Sequence, residues 1–317
     1  MAPRLVLVHG IGGPRRPENE RAEWIEALAE GARKAGHSAA ADRLCDGTLA
    51  EVVFAYYGDL FLRPQAQGAA GAELDADEAG LLVEFLAEVI EQHRDDPDVD
   101  PDALDRAMAR LRPPGQAQGA LDPVRQSINA ATTLLDAGPW RAVGQWAAGR
   151  LLVGDLAQVA RYLARGEANP DGRTLDERIR AVVAEAFGPG PAVVLAHSLG
   201  TVVSFEALHH HRGDVTLWVT LGSPLAMRAV VLPKLRPAPP ATPPTVRRWL
   251  NYWDRDDIIT ARPILESDLL PNASGVRPDS DRLDSDGLWV HSAVKYLAKA
   301  DVAGPVIEAL RSLETAP

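Results

Sequence analysis

Ser198, a group of aspartates around residue 255, and His291 occur in an order that could support nucleophilic catalysis. The candidate aspartates are Asp254, Asp256 and Asp257. A serine hydroxyl is a poor nucleophile until an imidazole accepts its proton, and a carboxylate fixes the tautomer of that imidazole and stabilises its positive charge. These residue types therefore predict attack on an acyl group through an acyl-serine intermediate. The chain order Ser, Asp, His is one of those in which such triads occur.

Ser198 lies between a predicted strand and a predicted helix. The strand is the apolar run Ala192–Ala196, and apolar residues recur at helical spacing after the serine. A sharp turn that exposes a nucleophilic serine needs small residues two positions to either side, which here are Ala196 and Gly200. Ala196 stands where glycine is usual. The alternative interpretation is that Ser198 only caps the helix by accepting from backbone N–H groups.

His291 is the predicted general base because it alone among the eight histidines follows the acidic group. His9 and His197 end two predicted strands, which would position them separately from that late loop. His209, His210 and His211 are consecutive, so on a helix they point in three directions and cannot bind one metal ion together. We therefore expect a solvated helix end there and no metal site.

Predicted strands alternate with loops and predicted helices, which favours an α/β fold with a doubly wound, mostly parallel sheet. The strands are Leu5–Val8, Val52–Tyr57, Ala192–Ala196, Val215–Leu221 and Arg247–Trp253. The first strand leads into a glycine-rich loop that matches neither G-x-G-x-x-G nor a P-loop, so nucleotide binding is not favoured.

Helical patterns replace strand patterns between the second and third predicted strands. They cover residues 78–93, 101–111, 123–137, 140–164 and 175–187. We expect residues 1–317 to form a single domain, with residues 59–170 inserted as a helical cap or lid over the strand ends. Apolar faces of this cap, such as the one containing Leu82 and Phe85, would pack on the main domain or line a pocket.

Composition excludes several classes of protein. The formal net charge of −11 and the absence of a basic stripe argue against nucleic-acid binding. A single cysteine, Cys45, excludes an internal disulfide framework, and we expect it to be a small buried side chain. No secretory signal and no apolar run of about 18 residues is recognised, so the sequence predicts a cytoplasmic protein without a transmembrane segment.

Five motifs in order make the chain resemble the α/β-hydrolase superfamily, of the serine lipase/esterase type. They are LVLVHGIGG at 5–13, AHSLG at 196–200, TLGSPL at 220–225, WLNYWDRDDII at 249–259 and WVHSAVKY at 289–296. The resemblance implies hydrolysis of a carboxylic ester, either of a small molecule or of a lipid, with no cofactor. It also implies an oxyanion hole formed by the backbone N–H groups of Ile11 and Leu199.

The resemblance favours Asp257 as the acid, because in such lipases a short apolar run commonly follows the acid, and Ile258 and Ile259 follow here. Asp256 and Asp254 remain alternatives, the latter also as a turn-forming residue. A thioesterase or acyltransferase would use the same triad, and a hydrolase-like module that only binds a ligand is a further alternative.

Overall fold

A computed structural model describes most of the chain. The described residues are 3–11, 16–62, 76–94, 99–112, 123–135, 145–255, 257, 259–260, 263–284 and 290–315.

One parallel sheet forms the centre of the described structure. Its strands are β1 (Arg4–Val8), β2 (Glu51–Ala55), β3 (Ala192–His197), β4 (Val215–Leu221), β5 (Trp249–Asp254) and β6 (Pro278–Leu283). They lie in the order β2-β1-β3-β4-β5-β6, and every neighbouring pair is parallel. The predicted α/β class and the predicted parallel sheet are confirmed.

Ten helices are present in the described part of the chain. They are α1 (Pro17–Lys34), α2 (Ser38–Cys45), α3 (Ala76–Gln92), α4 (Pro101–Leu111), α5 (Pro123–Leu135), α6 (Gln145–Ala164), α7 (Leu175–Phe187), α8 (Leu199–Leu208), α9 (Ala293–Leu297) and α10 (Ala300–Glu314). Among these described residues, no helix is both long enough and apolar enough to cross a bilayer.

Helices cover both faces of the sheet. In β3, Val193 and Leu195 pack in a core with α1, α2, α9 and α10. The alternate residues Val194 and Ala196 pack in a second core with α3 to α8. Successive side chains of a strand point to opposite faces, so a strand buried on both faces is apolar throughout. This is why the central strands could be recognised as continuous apolar runs.

A buried ionic network holds α6 and α7 against α8. Glu206 of α8 is 1% exposed and accepts from the Tyr162 hydroxyl of α6 at 2.7 Å. It also accepts from Arg165, directly after α6, at 2.5 Å and from Arg180 of α7 at 3.0 Å. Asp176 is equally buried and accepts from both arginines. Buried charges are tolerated when they are paired and hydrogen-bonded, so this network fixes α8, the helix that follows Ser198.

One expectation from the sequence was wrong, and two elements of the structure were not predicted. The unpredicted elements are strand β6, whose sequence is mostly polar, and the short helix α2. Cys45 is exposed at the end of α2, so the prediction of a buried side chain was wrong. It is the last residue of a short helix whose buried positions are Ala40, Ala41 and Leu44.

Candidate active site

The predicted site residues lie where the chain reverses its direction of winding. From β1 the chain continues to β2 on one side, and from β3 it continues to β4 on the other. The connections after β1 and β3 therefore diverge, and in open α/β sheets ligands bind at such a point, beyond the carboxyl ends of the strands. His9–Ile11 follow β1 and Ser198 follows β3, so the topology brings these two segments together.

The two segments are in close contact through glycines. A Cβ atom on Gly10 would lie 2.7 Å from the Ser198 Cβ, and one on Gly200 would lie 2.4 Å from the His9 carbonyl oxygen. Neither position has room for a side chain, because both distances are far below van der Waals contact. Gly200 is thus required for the turn at Ser198, as the sequence predicted for a residue two positions after the serine.

Ser198 has a strained backbone. Its φ of 52° and ψ of −127° are rare for a residue with a side chain. The conformation is held by its N–H, which donates to Leu221 at 3.0 Å, and by its carbonyl, which accepts from the Thr201 N–H at 2.9 Å and the Thr201 hydroxyl at 2.7 Å. Strain of this kind persists only where surrounding contacts impose it, and it concentrates at functional sites.

The interpretation of Ser198 as a simple helix cap is wrong, because its side chain makes no capping hydrogen bond to α8. Its hydroxyl is buried and has no hydrogen-bond partner within the described residues. His291 is one of those residues, so the serine–histidine hydrogen bond is not formed in this structure. Such bonds are often long without substrate and shorten when the substrate binds.

Asp257 and His291 form a direct pair. The Asp257 Oδ2 and the His291 Nδ1 are 2.7 Å apart, although the residues are 34 positions apart in the chain. The Asp257 Oδ1 accepts from the Ile259 N–H at 3.0 Å, and the residue is 2% exposed. A carboxylate can only accept, so Nδ1 carries the hydrogen, and Nε2 is left as the basic nitrogen of the imidazole.

Asp254 occupies a different place. Its backbone N–H donates to the Tyr296 hydroxyl at 3.1 Å, and its carbonyl accepts from the Asp257 N–H at 3.1 Å and from the Thr260 hydroxyl at 3.2 Å. These bonds form a turn that follows β5 and presents Asp257 to His291. Asp256, the other alternative, lies outside the described residues.

His197 and Gly222 connect the pair to the serine turn. The imidazole of His197, next to Ser198, has its ring centre 4.6 Å from that of His291. A Cβ on Gly222, directly after β4, would lie 2.9 Å from the Asp257 Oδ2 and 3.1 Å from the His291 Nδ1. Gly222 also has a φ of +55°, which favours glycine. The end of β4 thus forms the surface against which Asp257 and His291 pack.

Ile11 and Leu199 are the residues whose backbone N–H groups are predicted to bind an oxyanion. Ile11 is partly buried after β1, and Leu199 is the first, buried residue of α8. Neither N–H donates to an acceptor among the described residues. The N-terminus of a helix favours negative charge, so Leu199 lies where an oxyanion would be stabilised.

His9 joins the segment that follows β1 to the segment that follows β2 through hydrogen bonds with Tyr57. Its Nε2 accepts from the Tyr57 N–H at 3.0 Å, and the Tyr57 hydroxyl donates to the His9 carbonyl at 2.6 Å. Burial raises the pKa of Tyr57 well above its ordinary value, so this hydroxyl keeps its proton. His9 is thus a structural bridge between β1 and β2, in keeping with its predicted separation from the general base.

Sequence reasoning missed Tyr57, Gly222 and Tyr296 as parts of the site. Gly222 had a signal, because it begins a Gly-Ser-Pro turn directly after a predicted strand. The two tyrosines had none, because their hydroxyl groups act on residues distant in the chain.

No family model, curated protein or solved structure matches the chain.

The geometry defines what this site could do. Ser198 stands in a strained turn directly before the N-terminus of α8. The His291 imidazole, paired with Asp257, lies against the ring of His197, the residue before that serine. No cluster of metal-ligating side chains occurs among the residues that the structure describes. The groups present can transfer a proton, supply a hydroxyl nucleophile and bind an oxyanion.

Proposed function

We propose that the protein is a serine hydrolase that cleaves a carboxylic ester through an acyl-serine intermediate. The observation that carries the proposal is the strained Ser198 at the carboxyl end of β3, beside the segment that follows β1. The ring of its neighbour His197 lies 4.6 Å from that of the partly buried His291, which is paired with the buried Asp257. Strain in a buried polar residue reduces stability and contributes nothing to a merely structural turn, which supports a catalytic role.

In the first half-reaction, the His291 Nε2 accepts the hydroxyl proton of Ser198 while Oγ bonds to the ester carbonyl carbon. The carbonyl oxygen becomes an oxyanion and accepts from the N–H groups of Ile11 and Leu199. The intermediate collapses, the bond to the leaving oxygen breaks, and that oxygen takes the proton from His291 to leave as an alcohol. Asp257 stabilises the imidazolium throughout but does not take its proton.

In the second half-reaction, water replaces the alcohol. As the water oxygen bonds to the acyl carbon, His291 accepts a proton from the water. A second tetrahedral oxyanion forms and accepts from the same two N–H groups. Collapse then returns the proton to Ser198 Oγ and releases the acid. Each cycle consumes one ester and one water and releases one alcohol and one acid, so it needs no cofactor.

We further propose that the fold is that of an α/β-hydrolase and that helices α3 to α6 form its cap. The parallel sheet, the serine turn after β3, and the Ser, Asp, His order support this. Glu88 of α3 accepts from the backbone N–H groups of Arg228 at 2.5 Å and Ala229 at 2.9 Å, in the segment that follows β4. This contact joins α3 to a loop at the carboxyl end of the sheet, where a cap would lie. Because Ser198 is fully buried, an ester reaches its hydroxyl only when the residues that cover Ser198 move.

Labelling with an active-site fluorophosphonate tests the proposal directly. Purified wild-type protein should be labelled at Ser198, and Ser198→Ala should abolish both labelling and turnover, lowering kcat by roughly four to six orders of magnitude. Ser204→Ala is the matched control, because Ser204 is equally buried in α8 and its hydroxyl only donates to the Thr201 carbonyl. Folded wild-type protein that is not labelled would leave a ligand-binding module as the better explanation.

A substrate series then identifies the leaving group and acyl chain. p-Nitrophenyl esters of increasing length, a phospholipid and an acyl thioester should be compared with the same preparation. We expect ester hydrolysis to exceed thioester hydrolysis. The reverse order would assign the same Ser198 chemistry to a thioesterase.

A further inference from the structure

Tyr296 contacts the same carboxylate oxygen as His291. Its hydroxyl donates to the Asp257 Oδ2 at 2.7 Å, equal to the separation between that oxygen and the His291 Nδ1. Tyr296 is fully buried in α9 and lies five residues after His291. The carboxylate therefore accepts from three donors: the Ile259 N–H on Oδ1, and the tyrosine and the imidazole together on Oδ2.

The phenol is fixed from both sides. While it donates to Asp257, its oxygen accepts from the Asp254 N–H at 3.1 Å. This single side chain therefore connects the end of β5, the acid and the helix that follows the base. Burial, and then the nearby charge of Asp257, raise the pKa of Tyr296 well above its ordinary value, so the phenol keeps its proton at neutral pH and acts as a donor.

Two donors on one oxygen compete for its electron density. A hydrogen bond to the charged form of a carboxylate stabilises that form and lowers its basicity. The phenol shares the charge of the oxygen that also contacts the imidazole, so it weakens the attraction between Asp257 and a protonated His291, and the imidazolium loses its proton more readily. The tyrosine thus opposes the effect that Asp257 has on the imidazole.

We propose that Tyr296 is a positioning residue that orients the Asp257 carboxylate and lowers the pKa of His291. The effect on turnover rests on the function proposed above, whereas the effect on the imidazole does not. The titratable groups facing this pair include Asp257 and Asp254 from the β5 end and His197 from the β3 end. All three are retained in the variants below, so a difference between variants reports the phenol alone.

The test replaces one hydroxyl and measures one imidazole. Tyr296→Phe should raise the pKa of His291 by roughly half a unit, read from its imidazole signals by NMR titration. His291 must be neutral to accept a proton, so the acidic limb of the kcat/KM profile should move to higher pH by the same amount. Tyr252→Phe is the matched control, because it removes a buried hydroxyl that donates to the Asp301 carbonyl at 2.6 Å, and it should leave the pKa of His291 unchanged.

A second substitution covers the case in which Tyr296→Phe does not fold. A 3-fluorotyrosine at position 296 keeps the bond and makes the phenol a stronger donor, so it should shift the pKa of His291 in the opposite direction. If neither replacement shifts the imidazole pKa relative to the control, the proposed role of Tyr296 is wrong. If the pKa shifts but wild-type protein neither turns over esters nor reacts with fluorophosphonate, the hydrolase proposal fails while the role of Tyr296 stands.

Discussion

Replacing Asp257 by Asn gives the most informative single perturbation of the proposed triad. The carboxylate accepts on both oxygens, from the Ile259 N–H on Oδ1 and from Tyr296 and His291 on Oδ2. An asparagine keeps the shape but has one acceptor and one donor group. Whichever way the amide is turned, an NH2 group faces at least one existing donor.

Both orientations of the amide are damaging. With NH2 towards His291, the imidazole must accept at Nδ1 and carry its hydrogen on Nε2, where it cannot take the proton of Ser198. With the carbonyl towards His291, NH2 faces the Ile259 N–H, and the negative charge that stabilises the imidazolium is lost. Wrong-tautomer variants of related triads lose about ten-thousandfold in kcat, or about 5 kcal/mol of transition-state stabilisation. One unsatisfied buried donor costs about 1–3 kcal/mol of folding stability.

The assay compares three variants. Asp257→Asn, Asp254→Asn and Asp256→Asn should be measured for pre-steady-state p-nitrophenol release, with urea unfolding to correct for stability. Asp254→Asn should retain more activity than Asp257→Asn, because the bonds that present Asp257 to His291 use backbone atoms of Asp254 that Asn retains. If Asp257→Asn keeps most of its activity while either other variant loses it, the assignment of Asp257 is refuted and the triad has a different acid.

Two further substitutions test the surroundings of the site. Gly222→Ala should lower kcat by at least about tenfold and reduce stability. The new Cβ would lie 2.9 Å from the Asp257 Oδ2, close to His291, and the alanine would have to adopt a φ of +55°. Wild-type kinetics with an unchanged melting temperature would contradict this packing. Glu206→Gln should destabilise the fold by about 3 kcal/mol in urea unfolding, because it leaves the charge of Arg165 less completely paired in the interior. Its turnover per folded molecule should be close to that of wild type, and a loss of less than about 1 kcal/mol would show that the network contributes little.

Local sequence patterns determined the centre of the sheet and the position of the serine turn. Strands β1, β3 and β4 are mostly apolar because both of their faces are buried, and such runs have few other structural solutions. The turn at Ser198 could be predicted because it needs small residues at fixed positions. Gly200 meets that need, since a Cβ there would clash with the His9 carbonyl.

Two elements became visible only in the tertiary structure, because their sequences show no hydrophobic periodicity. Strand β6 consists of Pro278–Leu283, mostly polar with both ends buried and exposed residues between them, and it pairs with β5 at the edge of the described sheet. Its extended form comes from backbone pairing with a neighbour that the sequence cannot identify, and polar residues protect a sheet edge from association. Helix α2 has eight residues, too few for periodicity to be distinguished from chance.

The contact between Asp257 and His291 also becomes visible only in the tertiary structure. Asp254 and Asp257 are both buried and stand three residues apart, so chain order and composition treat them alike. The turn after β5 directs the Asp257 carboxylate towards a histidine 34 residues later and a tyrosine 39 residues later. Contacts over such separations arise from the packing of α9 against the end of the sheet. Residues near each other in the chain form periodic patterns that can be recognised in the sequence. Residues that are brought together by packing produce no such periodicity.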